Sequence, residues 1–167
     1  QFGQPRRIDD RDRILDRKEC EFVGDVASQV PMQVIFMLLG VPEQDWAYLV
    51  ELTDTMMNNG GTEAAMESAL KLYMYSDQLA SKRREAPGND MVSLLLTAEV
   101  NGELLSQAEF NAFFLLLVVA GNETTRNLIA LGTLALIENP DQFALLRANP
   151  DLMPSAVEEM LRYTSPV

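Results

Sequence analysis

The sequence predicts a mainly α-helical fold built on one long central helix, with at most a small β-hairpin. Three observations carry this. Ser106-Gln107-Ala108-Glu109 has the S-x-x-E spacing of a capping box, in which the Ser106 side chain accepts from the Glu109 amide and Glu109 reaches back. Asn139-Pro140 stops the same segment, because proline cannot continue the hydrogen-bond ladder. Between those signals, Gln107 to Glu138 gives roughly 48 Å of helix at 1.5 Å per residue, enough to cross a domain.

The remaining elements follow in order. Val23 to Leu39, with Val23, Val26, Val30, Val34 and Met37 in helical register, predicts a helix that Pro31 bends or splits and Gly40-Val41-Pro42 ends. Glu43 to Met57 and Glu63 to Glu85 form two helices across Asn58-Asn59-Gly60-Gly61, with Lys82-Arg83-Arg84 placed at the negative end of the second. Met56, Met57, Met66 and Met74 read as packing residues. After Pro87-Gly88-Asn89, Asp90 caps a short helix through Leu96, and Asn101-Gly102 supplies a tight turn between Ala98 and Leu105. A short segment, Phe143 to Ala148, and a helix opening at Pro154 complete the chain.

Composition bounds the function. The 167 residues are 47% hydrophobic without a low-complexity tract, which suits one domain or part of one. A net charge of −12 argues against nucleic acid or an anionic membrane as partner. Acidity concentrates after residue 20, since the first twenty positions are nearly balanced. One cysteine excludes an internal disulfide, and with no signal-like apolar opening this predicts a cytoplasmic protein. The absence of histidine excludes a histidine-ligated haem, an ordinary zinc site and every Ser-His or Cys-His nucleophile pair.

From Ala112 to Ala120 the central helix is apolar on every face, which predicts burial at the middle of the fold; the run is too short for a membrane span. Ala120-Gly121-Asn122-Glu123-Thr124-Thr125 then interrupts it. A mid-helix glycine costs about 1 kcal/mol relative to alanine, and paired threonines lose rotamer freedom, so local propensity is violated at one spot. Such a violation marks a candidate functional site. In steps of three and four, Phe113, Leu117, Ala120 or Gly121, Thr124, Leu128, Leu131 and Ala135 share a stripe, which makes Thr124 an interior hydroxyl. Glu123 lies about 100° around, near Leu116, Val119 and Asn127, where a carboxylate beside apolar neighbours is a candidate for proton transfer. The structural alternative is that Gly121 permits close packing, Thr124 bonds a carbonyl one turn back and Glu123 points to water.

Residues 120–125 resemble the oxygen-activation motif A/G-G-x-D/E-T-T/S of the cytochrome P450 central helix, and Glu158-Glu159-Met160-Leu161-Arg162 resembles the E-x-x-R helix of the same family. Tyr163-Thr164-Ser165-Pro166-Val167 is similar to the connection that follows. Asn139-Pro140-Asp141-Gln142 and Phe143 to Ala148 are similar to connecting helices of bacterial members, and Cys20-Glu21-Phe22-Val23 through Glu43 to the helix before the substrate-covering pair. The likeness spans roughly residues 20 to 167, whereas residues 1 to 19 match poorly.

The resemblance implies that residues 1–167 are a partial cytochrome P450 domain of the soluble bacterial type, without its N-terminal part or the haem-cysteine loop. The axial cysteine of haem b is then expected downstream of Val167, since Cys20 lies ahead of the first matching helix, and the chain alone neither ligates haem nor is active. It further implies a monooxygenase that inserts one oxygen atom from O2 into a hydrophobic small molecule, with electrons from NAD(P)H through a reductase and a ferredoxin. Glu123 would gather protons and Thr124 would hydrogen-bond on the oxygen side, with Ala120, Gly121 and Thr125 around them in the haem pocket. Glu159 and Arg162 would be a buried structural pair, and the helices at 43–57 and 63–85 a mobile lid. Phe113, Leu116, Leu117 and Val167 are candidate substrate-pocket walls, although core packing also explains such residues. The competing class is a non-catalytic, all-helical ligand-binding or regulatory domain.

Overall fold

The computed structural model describes residues 19–166. A π-helical turn, Val23–Ala27, opens the chain, followed by α1 (Gln29–Leu39), a 3-10 turn (Glu43–Asp45), α2 (Trp46–Asn58), α3 (Glu63–Glu85) and α4 (Met91–Thr97). Strands β1 (Glu99–Val100) and β2 (Glu103–Leu104) precede the central helix α5 (Gln107–Glu138). The chain closes with α6 (Pro140–Ala148), a 3-10 turn (Pro150–Leu152) and α7 (Met153–Thr164). The mainly helical prediction with one small hairpin is therefore met.

Capping explains most boundaries. At the start of α5, the Glu109 amide donates to Ser106 Oγ at 3.3 Å and the Ser106 amide to Glu109 Oε2 at 2.8 Å, closing the predicted box. The Ser106 hydroxyl and then its backbone amide hold the Glu109 carboxyl below the usual carboxylate range. Thr62 and Asp90 cap α3 and α4, accepting from Ala65 N at 3.3 Å and Ser93 N at 2.8 Å. Gly40 ends α1 at φ 74°, its amide donating to Met37 O and the Val41 amide to Phe36 O at 2.9 Å, the paired bonds of a Schellman motif.

Two expectations about proline shift. The first helix divides at Ser28 rather than at Pro31, which sits in the first turn of α1 where its missing N–H has no intrahelical partner to lose. Pro140 opens α6 instead of only ending α5, because its fixed φ suits the first helical position. The short segment expected from Phe143 accordingly begins three residues earlier.

The core is one cluster at the meeting of α1, α2, α3, α4 and the N-terminal half of α5. Phe36, Leu39, Leu49, Leu72, Val92, Phe110, Phe114 and Val118 are fully enclosed there. The rings of Phe110 and Phe114, and of Phe114 and Tyr75, are tilted with centroids 6.4 Å apart, a favourable arrangement for aromatic pairs. Tyr75 donates to Asp45 Oδ2 at 2.8 Å, joining α3 to the turn before α2. Burial, and then that bond, pushes its hydroxyl above the ordinary phenol range.

A second polar junction fixes α3 on α5. Ser76 donates to Asn111 Oδ1 at 2.8 Å, Asn111 to Asp77 Oδ1 at 2.6 Å and Gln107 to Asp77 Oδ1 at 2.8 Å. Arg84 closes the set by donating to Gln107 Oε1 at 2.6 Å. Asn111 is buried in the otherwise apolar seam, and its carboxamide is matched on both ends, which is what allows a polar group to sit there without penalty.

The methionine reading holds only in part. Met56 packs on the core, but Met66 and Met74 are 65% and 53% exposed, and Met57 is also exposed. They lie on the outer side of α3 and at the end of α2, which no described element covers.

Candidate functional site on the central helix

The motif residues occupy the middle of α5, just beyond its enclosed half. The buried stripe runs Phe110, Phe114, Val118 and Asn122, then resumes at Gly132. This is one position away from the stripe expected through Phe113, Leu117, Gly121 and Thr124. The expectation of burial on every face is overturned: Ala112, Phe113, Leu116 and Ala120 are exposed, Leu116 by 57%. Among the described elements, α1, α3 and the π-helical turn make the main contacts with α5 besides α6 and α7, and the side bearing Phe113, Leu116 and Ala120 stays uncovered. Leu117 is half-buried against the core, and Val167 lies outside the described residues.

Thr124 is not an enclosed hydroxyl. It is half-buried and donates to the Ala120 carbonyl at 3.0 Å, one turn back, as threonine does in helices. Its oxygen lone pairs remain able to accept. Thr125 is exposed. The Glu123 side chain is 47% exposed and stands 3.7 Å from Arg126, a long i, i+3 contact between groups that water reaches, and therefore weak. Glu123 is thus open to solvent at one end and adjacent to the Ala120–Thr124 face at the other.

Two further residues of this region carry information that the sequence pattern did not reveal. Asn122 is 6% exposed, and its side-chain oxygen has no hydrogen-bond partner, the single such buried side-chain atom among the described residues. Asn127 donates to the Pro166 carbonyl at 3.4 Å, tying the turn after the motif to the segment that leaves α7. A buried amide on an apolar stripe is the signal that could have marked Asn122, had the stripe been placed in the right register.

The glycine of the motif is not demanded by packing. A Cβ at Gly121 would stand 3.4 Å from Ile35 Cδ1, ordinary contact with the tip of a flexible side chain on α1. Gly132 differs: a Cβ there would come within 2.9 Å of Met160 Sδ, so this glycine permits the close crossing of α5 and α7.

Glu159 and Arg162 do meet, through two bonds of 2.7 and 2.6 Å, and Arg162 holds the Glu159 carboxyl below its usual range. The expected burial is absent in this chain: their side chains are 60% and 69% exposed, because α7 rests one face on α5 and leaves the pair on the other. Glu159 also edges a cleft of about 440 Å³ between α5, α6 and α7, walled by Leu136, Leu145, Leu146 and Met160. That cleft lies away from the Glu123–Thr124 turn.

Leu116, Ala120 and Thr124, spaced four residues apart, follow one another along a single side of α5, the first two exposed and the third half-buried. Cys20 is exposed ahead of the π-helical turn, and no cluster of metal-ligating side chains occurs among the described residues. No described helix is long and apolar enough to cross a membrane.

No family model matches the chain. Curated relatives do. It is 39% identical over 156 residues to cytochrome P450 107B1 of Saccharopolyspora erythraea, covering 93% of this chain and 38% of that protein. It is 38% identical over 163 residues to a steroid C26-monooxygenase of Mycobacterium tuberculosis, covering 93% and 44%. Among solved structures, the Bacillus subtilis bacillaene polyketide synthase cytochrome P450 PksS superposes with a TM-score of 0.89 at 35% identity, over 95% of this chain and 42% of that one. CYP109E1 of Bacillus megaterium, solved in complex with testosterone, gives 0.89 at 32% identity, over 95% and 44%. The chain spans about two fifths of the length of the curated relatives it matches. Sequence likeness over nine tenths of the chain and the same helical arrangement in solved members agree, and the chain belongs to the cytochrome P450 family.

Proposed function

We propose that this chain is the oxygen-side wall and lid-bearing segment of a haem-dependent monooxygenase, which inserts one oxygen atom from O2 into an apolar small molecule. The observation that carries the reading is the uncovered side of α5, where exposed Phe113, Leu116 and Ala120 run directly into Glu123 and Thr124. The relatives support the substrate class: one is named a steroid C26-monooxygenase, and another was solved with testosterone. Electrons would come from NAD(P)H through a reductase and a ferredoxin, in the cytoplasm. On this reading the chain by itself would be inactive, the axial cysteine coming from another part of the protein.

Haem, when bound, supplies the redox chemistry that activates dioxygen. The residues of this chain handle space and protons. Leu116 and Ala120 would line one side of the cofactor, the small Ala120 leaving room for a diatomic molecule. Phe113 and Leu116 would exclude water from the substrate side. The Thr124 hydroxyl, whose hydrogen is engaged by the Ala120 carbonyl, presents its lone pairs to a water on that surface. Rotation about its side-chain bond exchanges that partner and lets the hydroxyl pass a proton on. Glu123, half in solvent, can take up a proton and deliver it through water to the Thr124 turn. Gly121 matches this use, since neither packing nor helix propensity calls for it.

The test is expression of the open reading frame that encodes this chain. A thiolate-type absorption band of the reduced carbon-monoxide complex would establish the haem protein, and its absence would refute the reading. In that protein, Thr124→Ala is expected to keep NAD(P)H consumption while diverting electrons from product to peroxide. Unchanged coupling would remove Thr124 from the proton path.

A further inference from the structure

We infer that Asn101-Gly102 is a site of spontaneous covalent modification, converting to aspartate and isoaspartate in the folded protein, while the sequence-identical pair Asn59-Gly60 is protected by its surroundings. Both dipeptides carry the same intrinsic chemistry. In each, the glycine nitrogen, deprotonated by hydroxide, can attack the asparagine side-chain carbonyl carbon. The new N–C bond closes a succinimide ring, the carbon–nitrogen bond of the carboxamide breaks, and ammonia leaves with the proton returned by solvent. Water then adds to either ring carbonyl and opens it, giving aspartate or, with the backbone routed through the side chain, isoaspartate. No oxidant or reductant is involved.

The structure separates the two sites. Asn101 and Gly102 are the corners of the hairpin, at φ 56° and 85°, the left-handed pair expected of a two-residue hairpin turn. Both are exposed, the Asn101 side chain has no hydrogen-bond partner among the described residues, and no atom lies within 4 Å of the position a Cβ on Gly102 would take. The hairpin holding them is only the two pairs Glu99–Leu104 and Val100–Glu103, with every strand residue exposed. So short a ladder is marginal and opens locally at little cost, which frees the backbone to reach the cyclisation geometry.

Asn59 is tied down on three sides. Its Nδ2 donates to the Thr55 carbonyl at 3.1 Å and its backbone amide to the same carbonyl at 3.2 Å. Its own carbonyl accepts from the Thr62 amide at 3.1 Å and the Thr62 hydroxyl at 2.7 Å. Cyclisation would have to pull the carboxamide off the end of α2 while the carbonyl stays held by the residue that caps α3. At Asn101 nothing comparable resists. The product persists because ammonia is lost to solvent, and its new carboxylate joins Glu99 and Glu103 on the same short hairpin.

The experiment is incubation of the folded chain at mildly alkaline pH with peptide mapping by mass spectrometry and isoaspartyl-specific enzymatic methylation. The peptide containing Asn101 is expected to gain one mass unit and become methylatable at a rate roughly tenfold or more above that of the peptide containing Asn59, the factor that a few intact hydrogen bonds supply. In urea the two rates should converge, since both are Asn-Gly. Equal rates in the folded chain, or faster conversion at Asn59, would overturn the inference. So would a rate difference that persists in urea, because it would then come from sequence context and not from the fold.

Discussion

Replacing Gly40 by alanine should destabilise the chain far more than the same change at Gly61, although both glycines have left-handed backbones. Gly40 has φ 74° and Gly61 φ 81°, so each alanine pays roughly 1–2 kcal/mol for placing a Cβ in that conformation. At Gly61 nothing lies within 4 Å of the new methyl, and the cost ends there. At Gly40 the methyl would overlap Asp90 Oδ2, with Cγ at 2.5 Å and Cβ at 2.7 Å. Asp90 cannot yield freely. One oxygen accepts from the Ser93 amide at 2.8 Å as the cap of α4, and the other accepts from Arg83 Nε at 2.5 Å. The same Arg83 donates to the Gly40 carbonyl at 2.8 Å, so three segments meet on this carboxylate. Displacing it forfeits a helix cap, worth about 1 kcal/mol, and loosens a largely buried charged hydrogen bond, worth about 1.5 kcal/mol or more. The expected loss for Gly40→Ala is therefore about 4 kcal/mol against about 1–2 kcal/mol for Gly61→Ala. Urea unfolding followed by helical circular dichroism measures both. Equal losses for the two variants would refute the claim that Asp90 is the obstacle.

Gly121→Ala is expected to stabilise the fold by about 0.5–1 kcal/mol, since helix propensity improves and Ile35 leaves room; thermal melting that shows a loss instead would return Gly121 to a packing role. Asn111→Leu should cost about 2–3 kcal/mol, because Ser76, Asp77 and Gln107 lose their shared partner at a buried seam. Urea titration checks this, and a neutral result would mean that the polar junction adds no net stability. The capping box should make stability pH-dependent in one direction. The Glu109 carboxyl is held below its ordinary value of 4.5 in the folded chain, so its contribution is present above that pH and fades as pH falls through the lower, folded value. Comparing wild type with Glu109→Gln across that range should show curves that converge in acid, and parallel curves would contradict the assignment.

Much of the architecture was legible because local rules govern it. Ser106, Glu109, Asn139 and Pro140 mark the ends of α5, and Asp90, Gly40 and Pro42 act within a turn of themselves. The motif positions were legible for a related reason: Gly121 and the Thr124-Thr125 pair contradict the helix around them, and a contradiction is visible without knowing what it faces. Where the reading slipped, the missing information was lateral. From Ala112 to Ala120 every position is apolar, so periodicity contains no phase, and the buried stripe was placed one residue away from Phe114 and Val118. Asn111 and Asn122 escaped notice by the same error.

By itself the sequence determined the order and type of the helices, the single hairpin and the residues that break helical propensity, since capping, proline geometry and turn chemistry act over three or four neighbours. Only the tertiary structure decided which side of α5 is covered, that Thr124 donates to its own helix, that Glu159 and Arg162 face water, and that Asn59 is held while Asn101 is not. Those outcomes depend on which elements approach from far along the chain, and an uncovered apolar face has the same sequence as a covered one.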